Sequence, residues 1–165
     1  MEFKKKELIT IWNTLEGLKG TQYSRKFSYG IVRNKKILRD EVESLQEAQT
    51  PADEYITYEK ERIALCEEYA DKDETGKAVQ VKGQYYFSEE NPKFKELMKA
   101  LVDKNKQVLE DAVKKEKEFL DILEETVDLP IYKMALDVFP ESIDIAVLEV
   151  LEVFIKEEDE TIIGG

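Results

Sequence analysis

A chain of 165 residues with net charge −12, 38% charged and 42% hydrophobic residues is long enough for one packed core, too charged for a compact sphere and too apolar for disorder. It holds no histidine and a single cysteine, which excludes imidazole general bases, zinc fingers, facial-triad iron sites and Glu-x-x-His two-metal bundles. Catalysis would fall to carboxylates, lysines or tyrosines in strongly perturbed sites, so the composition favours binding over chemistry.

An elongated, mainly α architecture reconciles the charge with the apolar content. Leu8, Ile11, Trp12, Leu15 and Leu18 fall at helical spacing, and Gly17 with Gly20 stops a first helix drawn from Phe3 to Leu18. Phe27, Ile31, Leu38, Val42 and Leu45 carry a second, longer helix to about Ala48. Thr50-Pro51-Ala52-Asp53-Glu54 reads as cap, first-turn proline and dipole-matched acids, opening a third helix through Tyr55, Tyr58, Ile63, Cys66, Tyr69 and Ala70.

Gly76 and Gly83 interrupt the helical pattern between Asp71 and Phe87, and the alternation of Val79, Val81, Tyr85 and Phe87 predicts a β-hairpin turning at Lys82-Gly83-Gln84, an insertion over about 77–88. Asn91-Pro92 restarts a helix in which Phe94, Met98, Leu101, Val108, Ala112, Phe119 and Ile122 form a seam interrupted by Asn105 and Lys115. Continuous to Glu125, it would span roughly 50 Å and form a long antiparallel helical hairpin with the third helix. Asn105 is a candidate for fixing coiled-coil register, or simply an exposed position.

Asp128-Leu129-Pro130-Ile131-Tyr132 and Met134 to Phe139 read as extended, with Pro130 confining that strand to an edge that can pair with the hairpin. Pro140-Glu141-Ser142 opens a C-terminal helix, Ile145 to Ile155, apolar around much of its circumference and therefore expected to be buried. The expected organisation is a single helical domain over 1–156 and a flexible acidic tail over 157–165.

Sign is unevenly distributed. Residues 1–40 carry net +6, residues 41–120 net −7 and the last 45 residues net −11. Basic opening helices can pack beside acidic closing ones with charges paired at the rim. Alternatively, an unneutralised acidic surface faces outward and steers a basic partner into place. For that second reading the candidate partner-binding residues are Asp128, Asp137, Glu141, Asp144, Glu149 and Glu152.

Other constellations are weaker. Asp71-Lys72-Asp73-Glu74-Thr75-Gly76 matches the opening of a calcium-binding EF-hand loop, but Ala78 and Lys82 stand where an aliphatic residue and the bidentate glutamate belong, so a polar turn accounts for it better. Glu67/Glu68, Glu124/Glu125 and Glu157/Glu158 diverge by about 100° on a helix and read as solvated acids, and Cys66 as a small core residue. Phosphate-loop, dinucleotide and serine-hydrolase signatures are missing. The early lysines and arginines, interleaved with Trp12, Tyr23, Phe27 and Tyr29, suggest a nucleic-acid surface. Core spacing of those aromatics and the net charge disfavour direct nucleic-acid binding. No metal or cofactor is expected. No stretch of about 18 uncharged apolar residues occurs, and Met1-Glu2-Phe3-Lys4-Lys5-Lys6-Glu7 lacks the apolar run of a signal peptide. A cytoplasmic protein with no membrane contact is expected.

Lys4 to Trp12, Tyr58-Glu59-Lys60-Glu61-Arg62 through Asp71 to Lys77, and Leu129-Pro130-Ile131-Tyr132-Lys133 together resemble an uncharacterised family of small acidic helical proteins encoded by phages and prophages of Gram-positive bacteria. The resemblance implies a bacterial host cytoplasm and a non-enzymatic accessory protein that binds and blocks or modulates a host protein. Such a partner can be a nucleic-acid-processing enzyme met by a DNA-mimic-like acidic surface, as in an anti-defence inhibitor. The alternatives are a self-assembling structural or scaffolding helical protein, including a homodimer, and, third, a carboxylate or divalent-metal enzyme.

Overall fold

Phe3 begins the core from a strand rather than from the first helix. The structure, a computed structural model, describes residues 1–19 and 22–157. In it β1 (Glu2–Lys4) pairs antiparallel with β4 (Thr126–Asp128), Phe3 opposite Val127. The segment around Pro130 was expected to pair with the hairpin; its neighbour β4 instead takes the N-terminal strand. The backbone ladder extends through Lys5 N–H to the Glu125 carbonyl (2.9 Å) and Leu129 N–H to the Met1 carbonyl (2.9 Å).

The first helix, α1 (Lys5–Gly17), therefore starts two residues later than Phe3. Glu7 supplies its opening device, accepting a hydrogen bond from the Lys4 N–H at 2.8 Å. Ser24 plays that part for α2 (Arg25–Gln49) by accepting from the Phe27 N–H at 3.2 Å.

The described chain is mainly helical. Among the described residues the contacts group into two compact units, 1–49 with 119–157 and 50–118. In the first unit the apolar stripes of α1 (Leu8, Ile11, Leu15) and α2 (Phe27, Ile31, Leu38, Val42) close on Leu129, Met134, Phe139, Leu151 and Phe154 from the last third of the chain. Phe27 and Phe139 meet edge to face at 5.2 Å.

Asn34 sits inside that stripe, fully buried. Its side-chain amide donates to the Tyr132 carbonyl (2.9 Å) and its amide oxygen accepts from the Tyr132 N–H (2.8 Å), so one buried side chain satisfies both backbone polar groups of Tyr132 in the connecting segment. Two residues on, the Met134 N–H donates to the Phe154 carbonyl and the Lys156 N–H to the Met134 carbonyl, both at 2.7 Å. Met134 also fills the space where a Cβ on Gly30 would stand, its sulfur only 1.9 Å from that point.

The last helix is shorter than expected. It runs Ile145–Leu151 (α6) and tightens into a 3₁₀ turn over Glu152–Phe154. It is also less buried: Leu151 and Phe154 are enclosed, whereas Ile145 is 75% exposed. Only Glu157 of the 157–165 tail lies among the described residues.

In the second unit α3 (Asp53–Tyr69) starts with Ala52 at the cap position, downstream of the Thr50 expected there. The hairpin forms between β2 (Gln80–Val81) and β3 (Gln84–Tyr85). Val81 faces Gln84, which leaves a two-residue turn. Lys82 and Gly83 both take positive φ, 51° and 80°, as a turn following the strand twist requires. Asn91 caps α4 (Pro92–Lys104) by accepting from the Phe94 N–H at 3.1 Å. Tyr69 meets Phe94 at 5.7 Å while Glu61, earlier in α3, bridges Lys104 at the far end of α4; the two helices run antiparallel.

The expected single rod to Glu125 is broken. Asn105 leaves helical geometry at φ −107°, ψ 17°, and α5 (Lys106–Glu124) follows. The Asn105 side chain folds back to donate to the Leu101 carbonyl at 2.9 Å, an acceptor it shares with its own backbone N–H at 3.2 Å. Asn105 thus marks the break between the two helices.

Candidate interaction surface

The six candidate acids separate into three groups. Asp128, on β4, lies 2.5 Å from the Met1 amino group. Asp144 caps α6, its carboxylate accepting from the Ala146 N–H at 2.8 Å, so its charge sits at the positive end of the helix. Asp137 in a 3₁₀ turn (Leu136–Val138), Glu141, Glu149 and Glu152 are exposed, and among the described residues none of these four joins an ion pair.

Helical spacing arranges part of the third group. At about 100° per residue, Ile145, Glu149 and Glu152 lie within roughly 60° of one another, while Leu148, Leu151 and Phe154 turn toward the core. The outer stripe therefore presents two carboxylates beside an aliphatic side chain in water. Leu136, 54% exposed, adds apolar surface next to Asp137.

Pairing of the basic opening segment with acids also occurs, at residues read from sequence as solvated. Glu124 receives both Lys4 (2.8 Å) and Lys6 (2.7 Å), and Glu125 receives Lys5 (2.9 Å). Glu16 is bridged by Lys19 and Lys35, and Lys35 also lies over the Trp12 ring at 5.0 Å. The register of β1 against β4 dictates the first cluster by placing Lys4 opposite Thr126. Partners some 120 residues apart in sequence carry no local signal.

Lys4, and then Lys6, push the Glu124 carboxyl down to about 2 from 4.5. Lys19 and Lys35 likewise hold Glu16 low, and Glu124 raises Lys4. A depressed carboxylate contributes stability above its unfolded value, and that contribution disappears as pH falls from about 4.5 toward 2. An NMR titration of the Glu124 carboxyl should have its midpoint near 2, moving toward 4.5 in the Lys4→Ala/Lys6→Ala double variant. A wild-type midpoint already near the ordinary glutamate value would refute the cluster.

The second unit answers the remaining sequence motifs. Asp73 folds its carboxylate inward to accept from the Thr75 hydroxyl (2.7 Å), the Thr75 N–H (2.8 Å) and the Lys77 N–H (3.0 Å), and these bonds lower its pKa, the Thr75 hydroxyl foremost. The EF-hand-like segment is thus a self-closed polar turn, and no metal-ligand cluster occurs among the described residues. Cys66 is buried, in keeping with a core role. A groove of about 420 Å³ between α3 and α4 is lined by Ala64, Leu65, Leu97, Ala100 and Leu101 with Glu61, Glu68 and Lys104.

Among the described residues no helix is long and apolar enough to cross a membrane. Comparison with known protein families, with curated proteins and with solved structures returns no match for this chain.

Proposed function

We propose that this chain is a non-enzymatic binding protein whose C-terminal acidic stripe docks on a basic protein surface. The observation that carries the reading is the exposed Ile145 in line with unpaired Glu149 and Glu152 along one face of α6 and the 3₁₀ turn that continues it. Exposed carboxylates raise the encounter rate and select the sign of the partner, and the aliphatic side chain contributes affinity once water is expelled. The partner class is a protein with a cationic cleft, such as a nucleic-acid-processing enzyme of a bacterial host whose cleft accepts carboxylates in place of phosphates. A phage accessory protein that blocks such an enzyme fits this chemistry. Asp128 and Asp144 drop out of the docking set, because one is engaged by the Met1 amine and the other by its helix.

Affinity capture from bacterial lysate tests the proposal. Protein retained by the wild type at about 50 mM salt should be lost at about 500 mM. It should also be lost with the amide variant Asp137→Asn/Glu141→Gln/Glu149→Gln/Glu152→Gln, and kept with Glu124→Gln/Glu125→Gln. Equal retention by both variants would overturn the assignment.

A further inference from the structure

The same unit that exposes the acidic stripe exposes a basic one. On α2, Arg25, Lys26, Tyr29, Val32, Arg33 and Lys36 lie within about 120° of arc and all are exposed. Tyr29 and Val32 are 53% and 51% accessible. Among the described residues none of the four cations joins an ion pair, in contrast to Lys4, Lys5, Lys6, Lys19 and Lys35. Arg33 is instead held by aromatic faces, 6.0 Å from the Tyr29 ring and 5.6 Å from the Tyr132 ring, with the two rings edge to face at 5.8 Å. A guanidinium fixed on aromatic rings without a carboxylate keeps its planar donors directed to an incoming oxyanion and loses little rotamer freedom on binding it.

The two surfaces match in chemistry. Four unpaired cations flank exposed Tyr29 and Val32 on one, and unpaired Glu149 and Glu152 lie beside exposed Ile145 on the other, with unpaired Asp137 and Glu141 adding negative charge in the segment that leads into α6. We infer that the α2 face is the receptor for the acidic stripe of a second copy of this chain, giving a head-to-tail association. Such an interface uses two different patches of one subunit, so each copy has one free patch of each sign unless the assembly closes into a ring. This inference rests on the docking reading of the acidic stripe and assigns it a partner within reach at high local concentration of the chain itself.

Sedimentation with charge-reversal variants decides the matter. Wild type should gain mass with concentration at about 50 mM salt and return to monomer at about 500 mM. Arg33→Glu/Lys36→Glu alone and Glu149→Lys/Glu152→Lys alone should each lose association at least tenfold. Mixed one to one they should associate again, because one supplies an intact acidic stripe and the other an intact basic face. A wild type that stays monomeric at low salt, variants that associate as well as wild type, or a mixture that remains monomeric would each overturn the inference. Lysate capture through the acidic stripe that persists in that case leaves the docking reading standing and removes only the second copy as its partner. Circular dichroism matching wild type confirms that the variants, all at exposed positions, are folded.

Discussion

Replacing Asn34 with alanine should lower the unfolding free energy by about 3 kcal/mol, measured by urea denaturation. The size follows from what remains behind. Both the N–H and the carbonyl of Tyr132 lose the fully buried side chain they bond to, in a partly buried place where each orphaned group costs about 1–3 kcal/mol. The slope of the denaturation curve should not change, since the same surface is exposed on unfolding. Asn34→Asp separates the two bonds. The carboxylate can still accept from the Tyr132 N–H, but it faces the Tyr132 carbonyl with no proton to donate, and burial raises its pKa. A folded-state pKa above the unfolded value adds stability at low pH that is lost as pH rises through it. The aspartate variant should therefore approach wild type in acid and fall well below it at neutrality. Wild-type stability of the alanine variant would mean that Asn34 is not holding the segment.

The second large effect lies beside it. Met134→Ala should cost about 2–4 kcal/mol, because a side chain 4% exposed is removed from a closed core and leaves a cavity. Gly30→Ala is opposed by the same side chain. A methyl there meets the Met134 sulfur, and the less mobile Met134 Cγ stands 2.9 Å away. Overpacking of about 1–3 kcal/mol thus outweighs the helix-propensity gain of up to about 1 kcal/mol. Combined, the two changes should cost less than their sum, since the added methyl occupies space the methionine vacates. Strict additivity in thermal or urea unfolding would contradict the contact.

These two sites also show how far the sequence could be read. Helices were legible because their apolar positions repeat at three and four residues over long stretches, as in Met98, Leu101, Val108, Ala112, Phe119 and Ile122, and capped or broke at Asn91 and Gly17. Asn34 falls on the same stripe as Ile31 and Leu38, and a lone amide at a core position was the available sign of a buried hydrogen-bonding role. The pairing of β1 with β4 was not legible: three-residue strands carry almost no periodicity, and register between segments over 120 residues apart is fixed by packing. That pairing decides which acids are neutralised. Glu124 and Glu125 look no different in sequence from Glu149 and Glu152, yet only the former face Lys4, Lys5 and Lys6. Asn105 signalled an irregularity in the seam, which the fold realises as a helix break. The last helix reads as buried because its residues are nearly all apolar, whereas the core takes Leu151 and Phe154 and leaves Ile145 outside.

Hydrogen exchange on the chain bound to the protein it retains from lysate addresses the docking surface most directly. New protection over residues 136–152, with α3, α4 and the hairpin unchanged, is the expected result. Protection confined to those other elements, with 136–152 exchanging as in the free chain, would contradict it.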